Sequence, residues 1–177
     1  RCFGENYVQE ALLKKSQLSD LNIDWHFIGA LQSKKVKQII GEFSLLHSIE
    51  KFSTLEEIEK RLDEERQRVL VQVNLAGEQS KSGVAPEELE QFLEKAKEYK
   101  HIDISGLMTM PPLATKATES RSYFARLREL RDYYRPLLPE HSMTHLSMGT
   151  NQDYTVAVEE GATIVRLGSV LLGERVL

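Results

Sequence analysis

Apolar positions along the chain follow two alternating rhythms. Short runs rich in β-branched residues, clearest in "RVLVQVNL" (68–75) and "IDISGLMTM" (102–110), have the length and composition of buried strands. Between them lie charged segments whose apolar residues recur every three to four positions, as on one face of a helix. The pattern predicts strands at 1–3, 23–29, 44–49, 68–75, 102–110, 144–149 and 162–168. It predicts helices at 6–15, 34–43, 53–67, 86–99, 117–135 and 153–160. Tyr7, Val8, Ala11 and Leu12 share one helix face, and Leu89, Phe92, Leu93 and Ala96 another. Ser53 and Glu56 read as a capping box, and Pro86 suits a first helical turn. The charge run "LEEIEKRLDEERQR" reads as a solvated helix face with i,i+4 pairs.

Strands alternating with helices imply a parallel sheet. Seven strands fall at even spacing with no sign of a reversal, charge-poor where the helices are charge-rich. The expectation is an α/β fold, a (β/α)₈ TIM barrel missing its first strand, with 1–177 as one domain; an open doubly wound sheet is the alternative. At 177 residues the chain is short of the roughly 250 typical of such barrels. It opens on Arg1, so the expected start, with the missing strand, lies upstream.

Composition narrows the function. A net charge of −4 gives no basic excess for nucleic acid, and no apolar run reaches the roughly 20 residues of a membrane span. One cysteine, Cys2, excludes an internal disulfide framework and fits a reducing, cytoplasmic setting. With no obvious exposed apolar strip, a monomer is expected.

In parallel α/β folds chemistry gathers at the C-terminal ends of strands. Here those ends carry Asn6, His26, His47, Asn74, Thr109, the run Ser147–Asn151 and the run Arg166–Ser169. Barrels often hold phosphate in the loops after their last two strands. "LSMGTN" and "RLGS" supply small residues and hydroxyls there, at Ser147, Gly149, Thr150, Gly168 and Ser169, which suits close approach of an anion. Arg166 ends a buried strand with a charge that cannot be neutralised, and so calls for a partner. His26 and Met108 read as core residues, and no His/Cys/Asp set has metal-ligand spacing, so no metal is expected. Lys81, in "EQSKSG", reads as a surface lysine.

Six segments carry a resemblance: "FGENYVQEA", "WHFIGALQSKKVKQI", "LHSIE", "VQVNLAGEQSKSGV", "GLMTMPP" and "LSMGTNQDYTVAVEEGATIVRLGSVLLGE". In this order they span nearly the whole chain. They resemble the pyridoxal phosphate homeostasis family (proline synthetase co-transcribed homologues), related to the barrel of alanine racemase. The resemblance implies a (β/α)₈ barrel holding pyridoxal 5′-phosphate (PLP). It implies that Arg166 faces the pyridine nitrogen and keeps it unprotonated, weakening the ring as an electron sink. It places the phosphate on Ser147, Gly149 and Thr150, closed by Gly168 and Ser169, with Asn6 near the ring's other substituents.

Two departures matter. The family's Schiff-base lysine belongs to a first strand expected upstream of Arg1, and none of Lys34, Lys35, Lys37 or Lys81 stands in for it. The 177 residues would therefore hold the cofactor non-covalently. Many relatives read "SMGMS" where this chain reads "SMGTN", which changes the phosphate contacts at Thr150 and Asn151. The implied function is to bind PLP, buffer it and pass it to PLP-dependent apo-enzymes, without strong catalysis. The alternatives are an amino-acid racemase, which would need a tyrosine from a C-terminal β-domain, and an unrelated phosphate-binding barrel enzyme, which leaves Arg166 unexplained.

Overall fold

The computed structural model describes residues 1–78 and 82–173. Lys81 lies outside the described residues. Seven strands form one sheet: Cys2–Glu5 (β1), Asp24–Phe27 (β2), Leu45–Ile49 (β3), Gln67–Gln72 (β4), Ile102–Met108 (β5), His145–Thr150 (β6) and Ile164–Arg166 (β7). They are hydrogen-bonded in sequence order, and every neighbouring pair is parallel. The sheet curls into a nearly closed α/β barrel that lacks one strand of eight. Helices Val8–Gln17 (α1), Val36–Ile39 (α2), Phe52–Glu59 (α3), Leu89–Ala96 (α4), Arg121–Tyr134 (α5), Tyr154–Glu159 (α6) and Ser169–Leu172 (α7) follow the strands in turn.

Alternation along each strand divides the core in two. Trp25, Phe27, Leu46, Val69, Val71, Leu107, Leu146 and Met148 belong to the large cluster shared with the helices. On α4 the spacing places Leu89, Phe92, Leu93 and Ala96 against it, and on α5 Phe124, Leu127, Leu130 and Tyr134. Leu45, Leu70 and Met108, with Ile164 beside them, form a second, small apolar plug. Their strand neighbours two positions along, His47, Gln72 and Arg166, share that face and are polar. The inner layer is therefore half apolar and half polar.

Four local expectations change. The 53–67 helix ends at Glu59, and Gln67 opens β4, buried, with Nε2 donating to the carbonyls of Phe43 and Arg68. No capping box forms at Ser53: α3 starts one residue earlier, where Phe52 stacks on Phe92, and Ser53 Oγ accepts from Ser33. Of the charge run, the Glu57–Arg61 pair does form at i,i+4. Tyr7 leaves its helix face, because α1 begins at Val8 and Tyr7 becomes its exposed N-cap. Finally, α7 exposes Val170, Leu171 and Leu172, an apolar strip where none was expected. It follows β7, an edge strand with no neighbour beyond it among the described residues.

Truncating Phe124, which has no solvent exposure and fixes α5 to the barrel, removes a full aromatic side chain from the main cluster. Phe124→Ala is expected to lower unfolding free energy by about 3–5 kcal/mol, read as a lower urea midpoint at unchanged slope. A midpoint within error of the parent would show that α5 does not depend on this anchor.

Candidate functional site

The strand ends enclose a cavity of about 790 Å³, within the range of small-molecule sites. Its lining runs from Cys2 and Gly4 of β1 across His26, His47, Gln72 and Met108 of the strands between to Arg166 of β7. Asn6, Thr150, Arg166 and Gly168 line it. Asn6 is brought there by a backbone approach that only glycine permits. A Cβ on Gly29, at the end of β2, would lie 2.0 Å from the Asn6 carbonyl oxygen.

The other proposed residues occupy different depths. Gly149 is buried behind Thr150, with φ +90°, and a Cβ there would stand 2.5 Å from the Ala157 Cβ. Its role is to let α6 close onto β6. Thr150 is held by Asp153, whose Oδ1 accepts from the Thr150 amide at 2.7 Å and from its hydroxyl at 3.2 Å. Gly168 and Ser169 sit at the rim. Asn151 ties the two last turns together there, accepting from the Gly168 amide at 2.9 Å and donating to Ser169 Oγ at 2.6 Å. Ser147 is different: it has no exposure and lies beneath Arg166.

Arg166 is half-buried and fully engaged on one side. One terminal nitrogen donates to Ser147 Oγ at 2.7 Å, the other to the Thr109 carbonyl at 2.8 Å and to Met110 Sδ at 2.9 Å. All these partners are neutral, and among the described residues no carboxylate lies within ion-pair distance. Burial pushes its pKa down to about 10, opposed by the more distant Asp153. An enclosed cation without a counterion is unfavourable, and it faces a cavity that can admit one.

Below Arg166 the polar groups continue. Ser147 Oγ is 2.9 Å from His47 Nδ1, and His47 Nε2 is 3.0 Å from His26 Nδ1. Burial holds His47 neutral, its pKa pushed down to about 2, with His26, Arg166 and His145 adding to the effect. Burial also lowers His26 and His145. The sequence marked His26 as core, which it is, but gave no sign that it joins His47. That pairing needed only one observation: both stand on the inward face of adjacent strands.

Asn151 was visible beside Thr150 at the sixth strand end, but its bridge to Gly168 and Ser169 was not. Of the lysines weighed, Lys34 and Lys35 lie on a turn and Lys37 on α2, and none lines the cavity. Lys14 does, paired with Glu5 at 2.6 Å. The register of β1 and β2 also gathers Cys2, Asp24 and His26, with donor atoms all within 4.8 Å, a group that sequence spacing conceals. Burial, then Asp24, raises the Cys2 thiol, which keeps the sulfur protonated and makes it a poor third ligand.

The histidines give the fold a pH dependence. A histidine whose folded pKa lies below its unfolded value contributes its full stability above about pH 6.5 and loses it on acidification. For His47 the loss continues down to its folded value of about 2. His47→Asn is expected to flatten the fall of the urea midpoint between about pH 7 and pH 5, removing a slope of up to about 1.4 kcal/mol per pH unit. Parallel pH profiles for parent and variant would contradict a neutral, buried His47.

Comparison with known proteins places this geometry. The alanine racemase N-terminal domain family matches residues 1–176. The pyridoxal phosphate homeostasis protein of Aquifex aeolicus is 46% identical over 181 residues, covering 99% of this chain and 77% of that protein. The protein of that name from Pseudomonas aeruginosa is 42% identical over 182 residues, covering 99% and 75%. PipY of Synechococcus elongatus, solved with PLP bound, superposes with a TM-score of 0.87 at 34% identity, covering 97% of this chain and 81% of that one. A barrel one strand short, its last two turns joined across the rim, thus matches these relatives along almost its full length, and the chain belongs to the pyridoxal phosphate homeostasis protein family, built on the alanine racemase N-terminal barrel.

Proposed function

We propose that this protein binds pyridoxal 5′-phosphate in the cavity between β1 and β7 and serves the homeostasis of that cofactor. One observation carries the reading: Arg166, a cation with only neutral partners among the described residues, lines a cavity of about 790 Å³. The family named for PLP homeostasis and the PLP-bound relative support it.

The residues fit the group. Arg166 would donate to the pyridine nitrogen, supplying the acceptor that the guanidinium lacks. A permanent cation there disfavours protonation of the ring nitrogen. When bound, PLP supplies an aldehyde and a pyridine ring that withdraws electrons, and an unprotonated ring does so weakly. That favours a holder of the cofactor over a strong catalyst. The phosphate would lie at the joined turns, where Thr150, Gly168 and Ser169 stand at the rim. The Ser169 oxygen already accepts from Asn151, which leaves its proton to donate. Gly149 and Ser147 serve from behind, one by admitting α6 and the other by holding Arg166. Asn6 borders the cavity beside β1, near the ring's other substituents. Delivery to PLP-dependent apo-enzymes, a monomeric state and a cytoplasmic setting belong to the same proposal, the last supported by the free thiol of Cys2.

Titration of the 177-residue protein with PLP, followed by cofactor fluorescence, tests the reading. The parent is expected to saturate, and Arg166→Ala to bind at least about tenfold more weakly with a shifted absorption band, as loss of a charge-assisted hydrogen bond implies. Equal affinity and an unchanged band in Arg166→Ala would remove Arg166 from the site.

A further inference from the structure

The inner layer of the barrel carries a continuous polar line from Arg166 to Asp24, and its two histidines border the cavity. Arg166 meets Ser147 at 2.7 Å, Ser147 meets His47 at 2.9 Å, and His47 meets His26 at 3.0 Å. His26 Nε2 lies 3.4 Å from Asp24 Oδ2, at the start of β2. Five side chains from four strands are thus linked across the interior.

Donor and acceptor chemistry gives the line a direction. A guanidinium only donates, an ionised carboxylate only accepts, and a neutral imidazole does one of each. Asp24 is kept ionised first by the Ser44 hydroxyl, which donates to it, and further by His26 and Arg68. His26 therefore places its proton on Nε2, toward Asp24, and leaves Nδ1 as an acceptor. His47 must then donate from Nε2, leaving its own Nδ1 to accept the Ser147 proton. Ser147 is left with lone pairs free for Arg166.

The opposite direction satisfies the Ser147–His47 and His47–His26 contacts equally well. It would set a bare His26 nitrogen against the Asp24 carboxylate. It would also leave the Ser147 proton without an acceptor among the described residues, at a site with no exposure. A buried unsatisfied hydroxyl is costly. Asp24 at one end thus decides the arrangement at the other. The charged and titratable groups that face the two rings are Asp24, Arg68, His145 and Arg166, with Cys2 beside Asp24.

We propose that His26 and His47 are positioning residues for Arg166, forming with Ser147 a one-way chain of hydrogen bonds, anchored on Asp24, that fixes the guanidinium against the cavity. The chain makes the cofactor end of the barrel sensitive to charge at its far end. The consequence for binding rests on the PLP reading above; the chain itself does not.

Histidine-labelled protein without cofactor, examined by long-range ¹⁵N–¹H correlation near neutral pH, reads the direction. His26 and His47 are both expected as the Nε2–H tautomer. Asp24→Asn, at an exposed position, is expected to release that preference and give mixed tautomers. Ser147→Ala is expected to weaken PLP binding about tenfold and to lower the thermal midpoint while remaining folded. An Nδ1–H or doubly protonated His47 in the parent overturns the chain, and tautomer fixation that survives Asp24→Asn overturns its anchoring on Asp24. Undiminished PLP affinity in folded Ser147→Ala overturns the positioning role. A parent that binds no PLP overturns the cofactor reading alone. The tautomers of parent and Asp24→Asn would then still decide the chain.

Discussion

An arginine held inside a barrel with only neutral partners is the constraint to which the surrounding structure answers. Arg166 keeps its proton, and so its charge, at neutral pH even though burial moves its pKa down to about 10. Three contacts to a hydroxyl, a carbonyl and a thioether orient it without neutralising it. A carboxylate in their place would settle the charge and close the site to any ligand. Neutral partners instead leave the electrostatic demand to be met by whatever enters the cavity. The apolar plug of Leu45, Leu70 and Met108 next to it supports the same end, since a weakly polarisable surrounding keeps that demand high.

The polar half of the inner layer follows from this. Barrel interiors are ordinarily filled by branched aliphatic side chains. Here His26, His47 and Ser147 replace part of that filling, and each is satisfied by the next. A partly satisfied set would be worse than an apolar one, because each unpaired group carries its full desolvation cost. The interior therefore accepts the polar line only as a complete run ending on an ionised carboxylate. The acid sensitivity of buried histidines is a consequence of that choice, and it sits apart from the hydrophobic packing of the helices.

How much of this was legible in the sequence depends on the range of the interaction. The strands and the long helices were, because "RVLVQVNL" and the spacing of Leu89, Phe92, Leu93 and Ala96 declare themselves locally. Arg166 was legible too, as a fixed charge at the end of an apolar run. The end of α3 was not. The charge run after Glu59 looks helical, and Gln67 is drawn into β4 by hydrogen bonds to Phe43 and Arg68, one of them 24 residues away in sequence. The contacts of Gly149 and Ser147 with Ala157 and His47 were not legible for the same reason, since each joins elements apart in sequence. Asn151 was hidden differently: its two bonds bridge turns 17 and 18 residues apart, which the parallel pairing of β6 with β7 brings together.

Glycine placement shows how the two ends of the site are held in common register. At Gly29 the missing side chain admits the Asn6 backbone, which sets the β1 turn against β2. At Gly149 it admits α6, which carries Asp153 to the Thr150 amide. Both contacts pull a loop inward by removing volume. The residues they place, Asn6 and Thr150, border the cavity. Small residues in this barrel thus act on the site through geometry, while its charges are Arg166 and the Lys14–Glu5 pair.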